Sequence, residues 1–183
     1  LCFIVTMSVN FGGALTPIAI GSALMCMIFM GGPISGGHFN PAVTLGVFIR
    51  LKWSDQPLNL LKAFGYVLCQ VCGSVVAGVV GTFVAPTTIT IGFPKPSATA
   101  SIPAVLVAEL IVTFALVSAV LNTATTKENE GKSFFGLAIG FTETSGAVAV
   151  GAISGGAFNP AIGTGLPLIA NDFAHIWQYW VTG

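Results

Sequence analysis

The sequence predicts an all-α membrane protein made of two inverted halves, with six transmembrane helices plus two re-entrant half-helices and with the first and last helices truncated. Three observations predict it. The chain has 183 residues, of which 54% are hydrophobic and 7% charged, and its mean hydropathy is +0.92; a soluble fold this apolar would have no wettable surface. Eight residues, Ser-Gly-Gly-His-Phe-Asn-Pro-Ala at 35–42, recur as Ser-Gly-Gly-Ala-Phe-Asn-Pro-Ala at 154–161. Each copy leads into an apolar segment too short to cross a bilayer.

Taken in order, Leu1 to Val9 opens in mid-helix and reads as the remainder of a first span. Apolar runs at Ala14 to Met30, Leu58 to Val84, Ile102 to Leu121 and Phe134 to Ile153 are each about long enough for a roughly 30 Å hydrocarbon core. Asn is a good helix N-cap and Pro suits the first helical turn, so each Asn-Pro-Ala starts a helix after a flexible glycine pair. The segments that follow, Val43 to Ile49 and Ile162 to Ile169, stay apolar for only about ten residues, or about 15 Å. They cross half the membrane. Phe173 to Gly183 opens a last span, with Trp177, Tyr179 and Trp180 placed to suit a membrane interface.

A shift of 119 residues superposes Ser35, Gly36, Gly37, Phe39, Asn40, Pro41, Ala42 and Gly46 on Ser154, Gly155, Gly156, Phe158, Asn159, Pro160, Ala161 and Gly165. The halves are then 1–84 and 102–183, joined by a Pro- and Thr-rich loop at 85–101. At this offset the counterpart of Glu109 falls before residue 1 and the third span recurs from about residue 177, so both ends read as truncated. No signal peptide is visible, which carries no weight if the N-terminus is missing. Arg50, Lys52, Lys62, Lys127 and Lys132 fall on one side and only Lys95 on the other, which makes the first side cytoplasmic by the positive-inside rule. The halves are therefore inverted. No Asn-x-Ser/Thr sequon occurs.

Paired short segments at matching points of two halves mark a transport pathway, because broken backbone survives in a membrane only where protein or a water-filled cavity satisfies it. Helix N-termini carry about half a positive charge and free N–H donors. Two of them meeting at the midplane focus positive potential there.

The double Asn-Pro-Ala with its Ser-Gly-Gly lead-in resembles the aquaporins, the major intrinsic protein channels, over essentially the whole chain, 1–183. The resemblance implies a single channel domain, a homotetramer with one pore per subunit, and passage of water without a cofactor or metal. It makes Asn40, Pro41, Ala42, Asn159, Pro160 and Ala161 the pore motifs, with the two Asn amides orienting water so that a proton wire is interrupted. It also implies an outer selectivity filter, which falls by spacing on Ile20, Ala147, Gly156 and Ile162. Here the chain departs from the family. Ile162 stands where Arg is usual, and Ala147 and Gly156 are small where a water-selective member often holds His and a bulkier residue. The filter is expected to be wide, apolar and uncharged, open to glycerol, urea, ammonia or hydrogen peroxide as well as water.

Three further polar residues call for a role. Glu143 lies one helical turn before Ala147, on the same face, and an intramembrane carboxyl is a functional candidate by default; lining the pore, bonding to loop backbone or a neighbouring helix, and reaching the cytoplasmic interface all remain open. Glu109 matches the family's buried fourth-span Glu, which the resemblance assigns to bracing a re-entrant loop. His38 either braces its loop or acts as a pH-sensitive gate. Gln70 is expected to satisfy loop carbonyls.

Other patterns carry less. Cys69 and Cys72 form a Cys-x-x-Cys without a second pair or a His cluster, so they read, with Cys2 and Cys26, as buried small hydrophobes. Gly131-Lys132-Ser133 lacks the glycine a phosphate loop needs, since Thr126 stands there. The rows Gly73-Ala77-Gly81 and Gly136-Gly140 read as close helix crossings. No basic nucleic-acid patch and no catalytic constellation occur. Two rival readings stay open: a non-conducting structural or adhesive membrane subunit, its vestibule closed by Met25, Met27, Phe29 and Met30, and a variant leaky to cations or protons through Glu143 and the absent Arg.

Overall fold

A computed structural model describes residues 1–52, 57–88 and 91–183. Ile89 and Thr90 of the expected connecting loop lie outside the described residues. The helices in chain order are α1 (Cys2–Phe11), α2 (Thr16–Ser35), α3 (Pro41–Leu51), α4 (Leu60–Val84), α5 (Ile102–Ala124), α6 (Phe135–Ser154), α7 (Ile162–Ile169) and α8 (Ile176–Thr182). Among the described helices α2, α4, α5 and α6 are long and apolar enough to cross a membrane. The half-helices α3 and α7 have 11 and 8 residues.

Local chemistry sets the ends. Asn59 caps α4 by accepting from the Lys62 N–H, and Ser101 caps α5 by accepting from the Ala104 N–H, the side-chain capping that replaces a missing intrahelical acceptor. The two glycine pairs have the conformation their place demands. Gly36 and Gly37 have φ of 79° and 68°, and Gly155 and Gly156 have φ of 91° and 63°. Left-handed backbone at a helix C-terminus suits glycine alone at little cost, and here it turns the chain at the ends of α2 and α6 back towards the midplane. α3 starts at Pro41 as expected, whereas regular helix in the second half begins at Ile162, not at Pro160. The Gly163 N–H already bonds to the Asn159 carbonyl at 2.9 Å, so the difference is one of terminal-turn regularity.

Packing interleaves the halves. α2 crosses α6 where Gly21 meets Gly140 and Thr144; a Cβ on Gly140 would lie 2.5 Å from the Gly21 carbonyl. These two glycines are themselves related by the 119-residue offset. α7 lies on α4, with Gly165 against Ser74 and Gly78 against Ile169, and α3 lies on both α4 and α5, with Gly46 against Val117. Each half-helix is thus held by a long helix of the other half. Between them are two apolar clusters, one built on Leu24, Ile28, Val43, Val47, Leu116 and Ile139, the other on Val5, Ile20, Ala157, Ile162, Leu166 and Tyr179. Outward faces carry large apolar side chains such as Phe83 and Ile34, 89% and 86% exposed, as a hydrocarbon surround requires.

Four expectations are corrected. Gly81 does meet Thr6 of α1, but Gly73 has nothing within 4 Å, so the small-residue row makes a crossing at only part of its length. Cys26, Cys69 and Cys72 are exposed rather than buried; at i, i+3 on α4 the latter two share its outward face. Met30 is exposed and Phe29 turns to Phe135, ring centroids 5.1 Å apart, and to Gly136, so they leave the vestibule to Leu24 and Ile28. Tyr179 is not interfacial. It is 1% exposed, and its hydroxyl donates to the Ser154 carbonyl at 3.1 Å and the Pro94 carbonyl at 3.3 Å.

Candidate functional site

The two Asn-Pro-Ala segments meet back to back and hold each other. Asn40 Oδ1 accepts from the Ala42 N–H at 2.9 Å, and Asn159 Oδ1 accepts from the Ala161 N–H at 3.0 Å, so both carboxamides are oriented by their own helix starts. That orientation sends each Nδ2 across the pseudo-twofold axis: Asn40 Nδ2 donates to the Phe158 carbonyl at 2.8 Å and Asn159 Nδ2 to the Phe39 carbonyl at 2.9 Å. A carboxamide nitrogen has two N–H groups. One is spent on the cross-brace, and both residues line the same cavity, so the second N–H of each is available to it.

The loops are braced differently. In the second, Glu109 of α5 is 1% exposed, and its two carboxyl oxygens accept from the Ala157 N–H at 3.2 Å and the Phe158 N–H at 2.8 Å. These contacts hold Phe158 at φ 43°, a left-handed conformation that a bulky residue adopts only when its surroundings enforce it. In the first loop the anchor is α4. Gln70 Nε2 donates to the His38 carbonyl at 2.7 Å and to Thr44 Oγ1 at 2.9 Å, and the Tyr66 hydroxyl donates to the Ser35 carbonyl at 2.5 Å. The His38 ring lies 4.9 Å from that of Tyr66, and its Nδ1 is buried without a partner among the described residues. Burial first, and the Lys62 charge second, hold the His38 imidazole below its ordinary 6.5.

The cavity beside the Asn pair is small, about 20 Å³, or room for about one water. Its wall is apolar and follows the repeat: Ile20 pairs with Ile139, Val43 with Ile162, and Leu24 with Glu143 at the 119-residue offset. Glu143 is the one acidic residue of that lining. Of the four expected filter positions, Ile20 and Ile162 line this cavity together, whereas Ala147 and Gly156 are not in its wall. Ala147 packs against the Leu24–Leu116 cluster, and a Cβ on Gly156 would stand 3.6 Å from the Phe158 ring. A second recess joins Gly36 and Gly37 to Asn129, Glu130 and Lys132, which puts the first re-entrant loop and the 123–133 loop at one end of the bundle. Lys95 lies with its backbone against Gly155, at the mouth of the second loop. Sequence reasoning did not find the Phe39 and Phe158 carbonyls or Tyr179; side-chain identity carries no signal for a backbone acceptor.

Two half-helices entering a helical membrane bundle from opposite ends, meeting at capped N-termini beside a small cavity, define an inverted-repeat membrane channel. The description Major intrinsic protein matches residues 5–183. Over 179 residues the chain is 38% identical to Aquaporin TIP2-3 of Arabidopsis thaliana, covering 92% of this chain and 68% of that relative. It is 36% identical to Probable aquaporin TIP2-2 of Arabidopsis thaliana (90% and 64%) and 34% identical to Putative aquaporin NIP4-1 of the same plant (98% and 62%). The chain thus spans about two thirds of the length of these curated relatives. It belongs to the major intrinsic protein family, the aquaporins, and is an integral, multi-pass membrane protein.

Proposed function

We propose that the chain is a passive transmembrane channel for water and small neutral solutes, with no chemistry performed on what passes. The observation that carries this reading is the reciprocal brace of Asn40 and Asn159, each with a second amide N–H free for one small cavity whose other side chains, Glu143 apart, are apolar. In a pore of this type, selectivity rests on diameter, lining donors and the positive ends of half-helices. The donors and dipoles favour a water oxygen at the midplane and oppose a cation there. Asn40, Pro41, Ala42, Asn159, Pro160 and Ala161 build that point; Glu109 and His38 with Gln70 hold the loops that deliver it. Ile20 and Ile162, with Ala147 and Gly156 behind them, form the outer filter of this reading, uncharged and so permissive to neutral solutes. A homotetramer of single-pore subunits, with 1–84 and 102–183 as the inverted repeats, completes it.

The test is osmotic shrinkage of vesicles carrying the protein. Faster water exit than from protein-free vesicles, lost in Asn40→Leu, supports the reading; equal rates in parent and bare vesicles end it, and favour the non-conducting subunit.

A further inference from the structure

Glu143 stands in the wall of the pathway with nothing in the protein to bind. It is 5% exposed, it lines the cavity that holds Asn40 and Asn159, and among the described residues no hydrogen bond reaches its carboxyl. Buried polar side chains are almost always partnered, and the other buried carboxyl, Glu109, obeys that rule through the Ala157 and Phe158 amides. Nothing in the architecture calls for a carboxyl at this site either. Its mate under the repeat is Leu24, which lines the same cavity from α2. The helix crossing nearby is made by Gly21, Gly140 and Thr144, whose hydroxyl donates to the Gly140 carbonyl at 3.1 Å, so Glu143 takes no part in it.

Resting on the channel reading above, we propose that Glu143 is a specificity-determining residue whose partner is the permeant: it adds a carboxyl acceptor to the pathway and favours solutes rich in N–H donors over water. A carboxyl accepts through its carbonyl oxygen in either protonation state, whereas the Asn40 and Asn159 amides face the cavity as donors. A small amide carries both complements, a carbonyl that can accept from an Asn N–H and N–H groups that can donate to the Glu143 carboxyl. Elsewhere the side chains of the wall are Ile, Leu, Val and Phe39, which offer no acceptor, so a donor stripped of water there can turn only to backbone carbonyls, and the cost of unsatisfied donors grows with their number. The acceptor therefore lowers the barrier more for an amide than for water.

The probe is formamide, the smallest amide, in vesicles carrying the parent, Glu143→Gln or Glu143→Leu, with water and formamide permeabilities measured on the same preparation and with the membrane conductance recorded. The expected result is a fall of at least threefold in the formamide-to-water ratio in Glu143→Leu, with water permeability within twofold of the parent, and an intermediate ratio in Glu143→Gln, which keeps the acceptor and the volume. An unchanged ratio overturns the proposal. So does a parallel loss of both fluxes together with a lower unfolding temperature in both variants, which assigns Glu143 to structure. A parent conductance abolished by Glu143→Gln with the ratio unmoved overturns it in favour of an ion pathway. Parent vesicles that pass water no faster than bare ones fail differently: they remove the channel reading itself, and this proposal with it.

Discussion

Glu109 is a side-chain anchor of the second re-entrant loop, because its two oxygens satisfy two buried backbone N–H groups next to a left-handed Phe158. Glu109→Ala removes the acceptors of both buried donors, at about 1–3 kcal/mol for each left unpaired. A clear drop in unfolding temperature in detergent is expected, with reduced water permeability; Glu109→Gln, which retains one acceptor, should fall between. His38 supports a pH prediction. Its imidazole titrates lower in the folded protein than the ordinary 6.5, so between the two values the unfolded chain binds more protons and stability falls with falling pH. The unfolding temperature should decline as pH drops through about 6.5, and His38→Gln should flatten that decline; an identical slope in the variant removes His38 as its cause. At the filter, Ile162→Arg adds bulk and donors beside Ile20 and should reduce glycerol and urea flux more than water flux in the same vesicles.

At the scale of elements, the decisive contact is the crossing of α2 and α6 through glycine. A side chain at Gly140 meets the Gly21 carbonyl and Met25, both on the helix opposite, so it cannot be accommodated by a rotamer change. Gly140→Leu should cost about the 1–3 kcal/mol typical of overpacking, seen as a lower unfolding temperature, and should distort the cavity that both α2 and α6 line. Gly73→Leu is the control, since Gly73 meets nothing within 4 Å, and should leave stability near the parent's. The half-helices depend on the same logic. α3 and α7 are too short to be stable alone, and they persist because Gly46, Gly78 and Gly165 let them press onto α5 and α4.

The whole molecule is a two-fold arrangement in which neither half is complete without the other's amides and long helices. Exposed Phe, Ile, Leu and Val over most of the surface fit hydrocarbon and subunit neighbours alike. A homotetramer predicts a protein mass of four times 18.7 kDa after the detergent contribution is removed in a light-scattering measurement; a single 18.7 kDa protein mass would set the tetramer aside.

The amino-acid order alone determined the membrane class, the elements and the repeat, since hydropathy, span length and an eight-residue duplication are local properties that no packing can alter. Among the described residues the eight α-helices lie where composition and the Asn-Pro-Ala starts put them, within a few residues at most ends. Tertiary structure decided what faces what. That Glu143 turns to a cavity while Tyr179 turns from the interface to bind Ser154 and Pro94, that Cys69 and Cys72 lie outward, and that Ala147 and Gly156 stand behind the wall that Ile20 and Ile162 line, all depend on helix rotation and on the close approach at Gly21 and Gly140. In a chain apolar on every side, periodicity assigns no face. Only the contacts between helices, and the hydrogen bonds that buried polar groups must find there, select one.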